Sequence, residues 1–468
     1  MNDITWDPAW RIAESVQAGV YSPVAVLEHF LSRIEEFDPV LGAFDVVDHE
    51  RARRDAEHVE ADLRAGREVG PLAGVPMAVK SLIDVEGLPL LTGGVARRDN
   101  LIVDRLRRAG ALVVGHAGLP AIGADGSFDY STCARNPWDP SRISGFSSAG
   151  CAAAVAAGLL PAAIGSDGLG STRLPAAYCG VIGVHGTNGL VPIVDEWGRT
   201  MNYFESRGPM VRDVRDAALI LSVIAGPDPR DDRGVHLPQP DPAAELGLGV
   251  AGLKLGWAGD FGTAMSDTVD ESDEVISHIR SMVDVFTTLG GQLSDVQADW
   301  EDHTSALAQY LMPEGLPTAG VTKEDGGSAI REDAWGPATE VRRRMLNQFA
   351  QVFDAVDVVV SPVVHSVAPT AEVFARRVPD TASIMQGMPG SRGYTAYTAL
   401  FNWLRLPAIS VPCGFVRGLP VALQLVGPAA SDARLLRVAE AFLDAVPRTE
   451  RPMVGAGGDV LAVGVTQS

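Results

Sequence analysis

The sequence predicts an α/β protein: a large mixed, twisted central β-sheet covered by helices on both faces. Three observations carry this. Short apolar runs of strand length flank an amphipathic helical segment, as in VPMAV (75–79), NLIVDRLRRA (100–109) and ALVVG (111–115), and such βαβ patterning implies a sheet covered by helices. Within a Gly/Ala/Ser-rich run over 144–183, residues 149–165 read as a core helix followed by a strand. Two near-continuous apolar segments, 406–412 and 419–427, return late in the chain as core strands.

At 468 residues the chain is long enough to bury a large core. Its punctuation suggests an N-terminal helical region (1–70), a core region (71–226) that carries Lys80, Ser147 and Ser171, and a Pro/Asp-rich linker or surface loop (227–250). The remainder of the α/β unit with peripheral helices (251–445) and a flexible tail (446–468) follow. The formal charge is -21. Nucleic-acid backbones and anionic membranes require Lys and Arg to neutralise phosphate, so neither is expected as a partner. A small neutral or cationic molecule is. The four cysteines, Cys133, Cys151, Cys179 and Cys413, are widely spaced, without a CxxC pair. They read as buried thiols in a reducing, cytoplasmic compartment. The N-terminus has no basic segment followed by an apolar core, so no signal peptide is expected. The most apolar run, 149–165, is too rich in Ala and Gly, and too broken by Pro161, to span a membrane.

Taken in order, residues 1–66 read as helices. Ser22-Pro23 supplies an N-cap and a first-turn proline, and Val24, Val26, Leu27, Phe30, Leu31 and Ile34 form the apolar stripe behind it. A second, highly charged helix over 48–65 is stopped by Gly66. Residues 71–80 end in a strand, 100–109 are helical and 111–115 are a second strand. Asp139-Pro140-Ser141-Arg142 reads as a turn delivering the chain to the 144–183 run. Beyond it, strands are expected at 181–184, 253–257 and 357–360. Helices are expected near 211–225, 270–289, 303–311, 338–353, 394–403 and 432–444.

Lysine is avoided: Lys80, Lys254 and Lys323 are the three in the chain. Arginine cannot serve as a neutral amine base at accessible pH. Lys80 closes a short apolar run, where burial depresses an amine's pKa, and is a candidate base. The 144–183 run holds two small-residue turns, each carrying a serine. Such turns expose backbone N–H groups that suit an anion. A serine hydroxyl attacks once a neighbour takes its proton, which makes Ser147 and Ser171 candidates, with Ser144 and Ser148 as alternative hydroxyls. His185 or His365 is the alternative base, since triads assemble in space. The sequence has no GxxxxGK[ST] loop, no HExxH pair and no spaced histidine set, so neither a metal nor another cofactor is expected.

These parts together resemble the amidase signature family. VPMAVK (75–80) is similar to the family's lysine strand. RNPWDPSR (135–142) followed by GFSSAG (145–150) is similar to its glycine-serine run, and GSDGLGSTRLPA (165–176) to its nucleophile loop. Gly208-Pro209-Met210 and the two late strands match later segments, so the resemblance runs from about residue 10 to 445. It implies the amidase signature fold and a Ser-cis-Ser-Lys triad. Ser171 would be the nucleophile, Ser147 the proton relay after a cis peptide bond, and Lys80 the base. Gly168, Leu169, Gly170 and Ser171 would supply a backbone oxyanion hole, with Asp167 and Arg173 holding the loop.

The chain departs from the family's pattern at several positions. Leu169, Phe146 and Ala149 stand where glycines are usual, and Cys151 replaces a serine. His116 and Gly118 stand for Lys and Asn, and His185-Gly186 for Lys-Pro. If position 169 needs φ > 0, leucine is strained there, or the flexible position has moved to Gly168. Tyr130, Phe146, Trp197, Tyr203 and Trp403, with Phe128, are candidate walls of an apolar acyl pocket. The resemblance implies a serine-dependent amidase, and these aromatic residues point to a small aromatic or hydrophobic carboxylic amide as its substrate. Carbamate or aryl-ester hydrolysis is the same chemistry with another leaving group. The alternatives are an acyl-transferring amide synthase, a catalytically silent binding protein and a partner-dependent amidotransferase component. Family members are often dimers, so a homodimer is one assembly the resemblance suggests.

Overall fold

The computed structural model describes residues 3–91, 93–122, 127–194, 204–231, 234, 241–262, 271–301, 303, 306–307, 332–379, 395–447 and 450–452. The first strands are β1 (Phe44–Val47), β2 (Pro76–Lys80) and β3 (Leu112–Ala117). Two small antiparallel pairs follow: β4 (Ala121–Ile122) with β5 (Phe128–Asp129), and β6 (Arg135–Asn136) with β7 (Asp139–Ile143). Then come β8 (Ala162–Asp167), β9 (Ile182–His185), β10 (Ser206–Val211), β11 (Lys254–Trp257) and β12 (Gln292–Asp295). The last are β13 (Val358–Pro362), β14 (Ala408–Val416) and β15 (Leu419–Val426).

Among the described residues, one 11-stranded sheet has the order β1-β3-β2-β8-β10-β9-β14-β15-β13-β11-β12. It is mixed, as the sequence predicts. β2 runs parallel to both β3 and β8, whereas β10 is antiparallel to β8 and β9. β2 and β8 therefore end at the same edge, with Lys80 and Asp167, and β10 begins there, with Ser206. In open α/β sheets such carboxyl ends are where ligands bind.

Local chemistry accounts for the elements that build this edge. The helix Leu101–Arg108 makes the crossover from β2 to β3, capped by Asn100 Oδ1 accepting from the Ile102 amide at 2.9 Å. The helix Pro23–Leu41 starts on the Ser22 cap and ends at Gly42 in the left-handed region (φ 59°), burying the predicted stripe of Val26, Leu27, Phe30, Leu31 and Ile34. The helix Ala149–Ala156 is buried on every face. Its small residues are a packing requirement: a Cβ on Gly150 would lie 2.2 Å from the Ala43 carbonyl oxygen and 2.5 Å from the Gly118 nitrogen. No helix among the described residues is long and apolar enough to cross a membrane.

The reading of 139–142 as a turn is corrected. Asp139–Ile143 is strand β7, and the reversal lies one step earlier, at Pro137-Trp138. Asn136 sets it, its Oδ1 accepting from the Trp138 amide at 3.0 Å. All four cysteines are buried thiols, each Sγ directed at a backbone carbonyl. Burial pushes Cys133, Cys151 and Cys179 up to about 12.

Candidate active site

Lys80 is the last residue of β2 and is 1% exposed. Its Nζ donates to Ser147 Oγ at 2.7 Å and to Ser166 Oγ at 2.9 Å. Burial is the main influence on this amine and brings it down from 10.5 to about 8. Glu205 and Asp167 pull it back up, and Arg207 pushes it down. A substantial neutral fraction near neutral pH is what a base requires.

Ser147 follows a cis peptide bond with Phe146. The alternative hydroxyls are engaged elsewhere. Ser144 Oγ donates to the Arg135 carbonyl at 2.9 Å, and Ser148 Oγ to the Ser166 carbonyl at 3.2 Å. Ser148 is also the link between the two turns, since its amide donates to the Ser171 carbonyl at 3.2 Å. Ser171 itself is partly exposed at the start of the turn into the helix Arg173–Cys179. His185 makes no hydrogen bond to a serine among the described residues. Burial, and then the Arg173 charge, lower it to about 3, so it is neutral.

The loop between Asp167 and Arg173 is held by a buried network. Arg173 Nε donates to Asp167 Oδ2 and its Nη2 to Asp167 Oδ1, both at 2.9 Å. Nη1 donates to Gln424 Oε1 at 2.7 Å and Nη2 to Asn402 Oδ1 at 2.6 Å. Asn402 Nδ2 returns a bond to the Asp167 carbonyl at 2.7 Å. Burial would raise the Asp167 carboxyl, but the Arg173 charge beside it, aided by the hydrogen bonds from Arg173 and Asn402, holds it well below the usual carboxylate range. Both members of the pair are completely buried.

The turn geometry answers the question raised by Leu169. Leu169 does not have a positive φ; the left-handed position is Gly170, with φ 119°, and not Gly168. A Cβ at Gly170 would meet Thr398 Oγ1 at 2.1 Å. Thr398 Oγ1 donates to the Leu169 carbonyl at 2.7 Å and so fixes the peptide plane. The Gly170 amide donates to Asp167 Oδ1 at 2.7 Å. That amide is committed to the loop.

The aromatic candidates separate. Phe146 and Tyr130 come together: Phe146 lies 4.6 Å from Phe128 and 5.8 Å from Tyr130 between ring centroids, and Tyr130 lies 5.0 Å from Phe374. Phe146 and Phe128 are half-buried. Trp403 is placed elsewhere. It is fully buried in a second apolar cluster with Phe261, Tyr397 and Phe401, where it fills core. Trp197 and Tyr203 lie outside the described residues. Sequence reasoning missed Ser166, Asn402, Gln424 and Thr398. A serine directly before Asp167 was the one available signal; the other three reach the loop from more than 200 residues away.

The amidase family model matches residues 25–321 and 326–436. An acylamidase of Rhodococcus erythropolis is 32% identical over 476 residues, spanning 94% of this chain and 95% of that protein. A component of the glutamyl-tRNA(Gln) amidotransferase of Salinispora arenicola is 32% identical over 513 residues, spanning 95% of this chain and 98% of the relative. The crystal structure of a bacterial aryl acylamidase of the amidase signature family matches with a TM-score of 0.80 at 26% identity, covering 95% of this chain and 97% of that one. The chain belongs to the amidase family, and it is an amide-hydrolysing enzyme.

Proposed function

We propose that the chain hydrolyses the C–N bond of a small aromatic or hydrophobic carboxylic amide through an acyl-enzyme at Ser171. Lys80 is the base and Ser147 the proton relay. The observation that carries this reading is the 2.7 Å contact between Lys80 Nζ and Ser147 Oγ, with the amine buried and depressed to about 8. Neutral Lys80 takes the Ser147 proton as Ser147 takes that of Ser171. Ser171 Oγ attacks the carbonyl carbon, and the oxyanion is met by turn amides, foremost those of Leu169 and Ser171. Ser147 returns the proton to the departing amine. Water then repeats the relay and releases the acid.

The half-buried rings of Phe146 and Phe128, beside the relay serine, favour an apolar group on the substrate. The acylamidase and aryl acylamidase relatives favour the same class. Carbamates and aryl esters would enter the same path with another leaving group, and an acyl-transferring synthase would replace water by an amine. The enzyme acts alone or as a homodimer.

A partner-dependent amidotransferase component is the second reading, supported by the amidotransferase relative of equal identity. The -21 charge weighs against direct contact with RNA. The test is turnover by the purified chain alone on a matched pair of amides, an acyl anilide and an alkyl amide of the same acid. Turnover without a partner, faster on the anilide, supports the first reading. Amide hydrolysis seen only with added partner proteins supports the second, and none under either condition contradicts both.

A further inference from the structure

A buried charge pair sits one strand away from the Lys80–Ser166 contact. Arg207 on β10 is directly opposite Ser166 on β8 in the antiparallel register, and directly opposed residues share a face of the sheet. Arg207 Nε donates to Glu205 Oε1 at 3.3 Å, and each side chain is 1% exposed. The second carboxylate oxygen, Glu205 Oε2, is buried without a hydrogen-bond partner among the described residues. A pair held out of water is unscreened, and an incompletely satisfied carboxylate projects its field onto nearby cations.

We propose that Glu205 and Arg207 are positioning residues for Lys80, a fixed buried dipole that governs how readily this amine holds or gives up its proton. The proposal rests on the reading of Lys80 as the base. The groups facing Lys80 can be taken element by element. Ser147 and Cys151 come from the start of the helix Ala149–Ala156 and the turn before it. Ser166 and Asp167 come from β8, and Glu205 and Arg207 from β10 and its lead-in. On the neighbouring β3, His116 Nε2 is engaged with the Ile83 carbonyl at 3.1 Å. Asp167 is neutralised by Arg173, and the Cys151 thiol stays protonated up to about 12. Glu205 and Arg207 are the other charged pair among the described residues that acts on Lys80, with opposite signs. Glu205 favours the protonated amine and Arg207 opposes it, in agreement with the direction each exerts. Removing one or the other should move the amine in opposite directions.

The experiment is the pH dependence of kcat/KM on an acyl p-nitroanilide for the wild type, Glu205→Gln, Arg207→Met and Arg207→Lys. Glu205→Gln should shift the acid limb to lower pH by about one pH unit, because Arg207 stays charged. Arg207→Met should shift it upward by a similar amount, because the opposing positive charge is gone while Glu205 remains. Arg207→Lys should bring the limb back towards the wild-type position. Limbs that stay put, or that move in the same direction in both neutralising variants, overturn the proposal, whatever happens to kcat. If Arg207→Met does not fold by circular dichroism, the near-isosteric Glu205→Gln decides the matter alone. A wild type that turns over no amide contradicts the proposed function itself. An active wild type with unmoved limbs in the variants contradicts only this inference.

Discussion

Lys80 Nζ and Ser147 Oγ lie 2.7 Å apart although 67 positions separate them in the chain. The sheet creates the contact: β2 delivers the amine at its carboxyl end, and the buried helix Ala149–Ala156 holds the serine turn against it. With the amine at about 8, roughly a tenth of Lys80 is neutral at pH 7. We therefore expect kcat/KM to climb about tenfold per pH unit below 8 and to level off above it. Lys80→Met should abolish that limb together with most of the activity. The stability consequence has a definite sign. The folded chain releases this proton more readily than the unfolded one, so stability should rise as pH increases between about 8 and 10.5, and urea titrations across that range should show it.

Arg173 should be a stability residue as well as a support for the loop. Its guanidinium is fully buried and bonded to Asp167, Asn402 and Gln424. Arg173→Met leaves the Asp167 charge uncompensated and should cost about 3–5 kcal/mol, measured by chemical denaturation. Arg173→Lys keeps the charge but loses the planar fork. It should fall between the two.

Gly170 carries the turn's left-handed backbone, at φ 119°. Gly170→Ala strains that conformation and drives Cβ into Thr398. The turn amides should lose their alignment, with kcat falling about a hundredfold and the far-ultraviolet spectrum unchanged. Steady-state kinetics on an acyl anilide would check this.

Asp216 caps a helix from outside that helix. Its carboxylate accepts from the Ala9 amide at 2.9 Å and the Trp10 amide at 2.8 Å, at the start of the helix Ala9–Gln17, which has no side-chain cap of its own. Asp216→Ala should destabilise the fold by about 1–2 kcal/mol in urea. Burial raises this carboxyl from 3.8 to about 7 against the two amide bonds. The folded state thus holds the proton longer than the unfolded one. This residue's contribution should decline as pH rises from about 4 to 7, and the variant should lack that slope.

The fold and the candidate reacting groups were legible in the sequence to different degrees. Strands and crossover helices announce themselves through local periodicity and caps such as Ser22 and Asn100. Lys80, Ser147 and Ser171 stand in short segments whose turn chemistry is itself local. The network around Asp167 is not local: Asn402 and Gln424 read as ordinary polar residues until the topology places β15 and the helix Ala399–Leu404 against the turn. Trp403 shows the same limit, since an aromatic side chain in a sequence does not declare whether it faces a cleft or the core. The concern over Leu169 also resolved at the level of the backbone, because the glycine after it adopts the positive φ.

The central claim is that Ser171 becomes acylated by way of Lys80 and Ser147. The most direct measurement is intact mass and peptide mapping after brief exposure to an activated aryl ester, on wild type, Ser171→Ala and Lys80→Met. The account predicts one acyl group on the peptide containing Ser171 in the wild type. It predicts none on that peptide in Ser171→Ala and much slower labelling in Lys80→Met. An adduct mapped to another residue, or one that persists unchanged in Ser171→Ala, would contradict it.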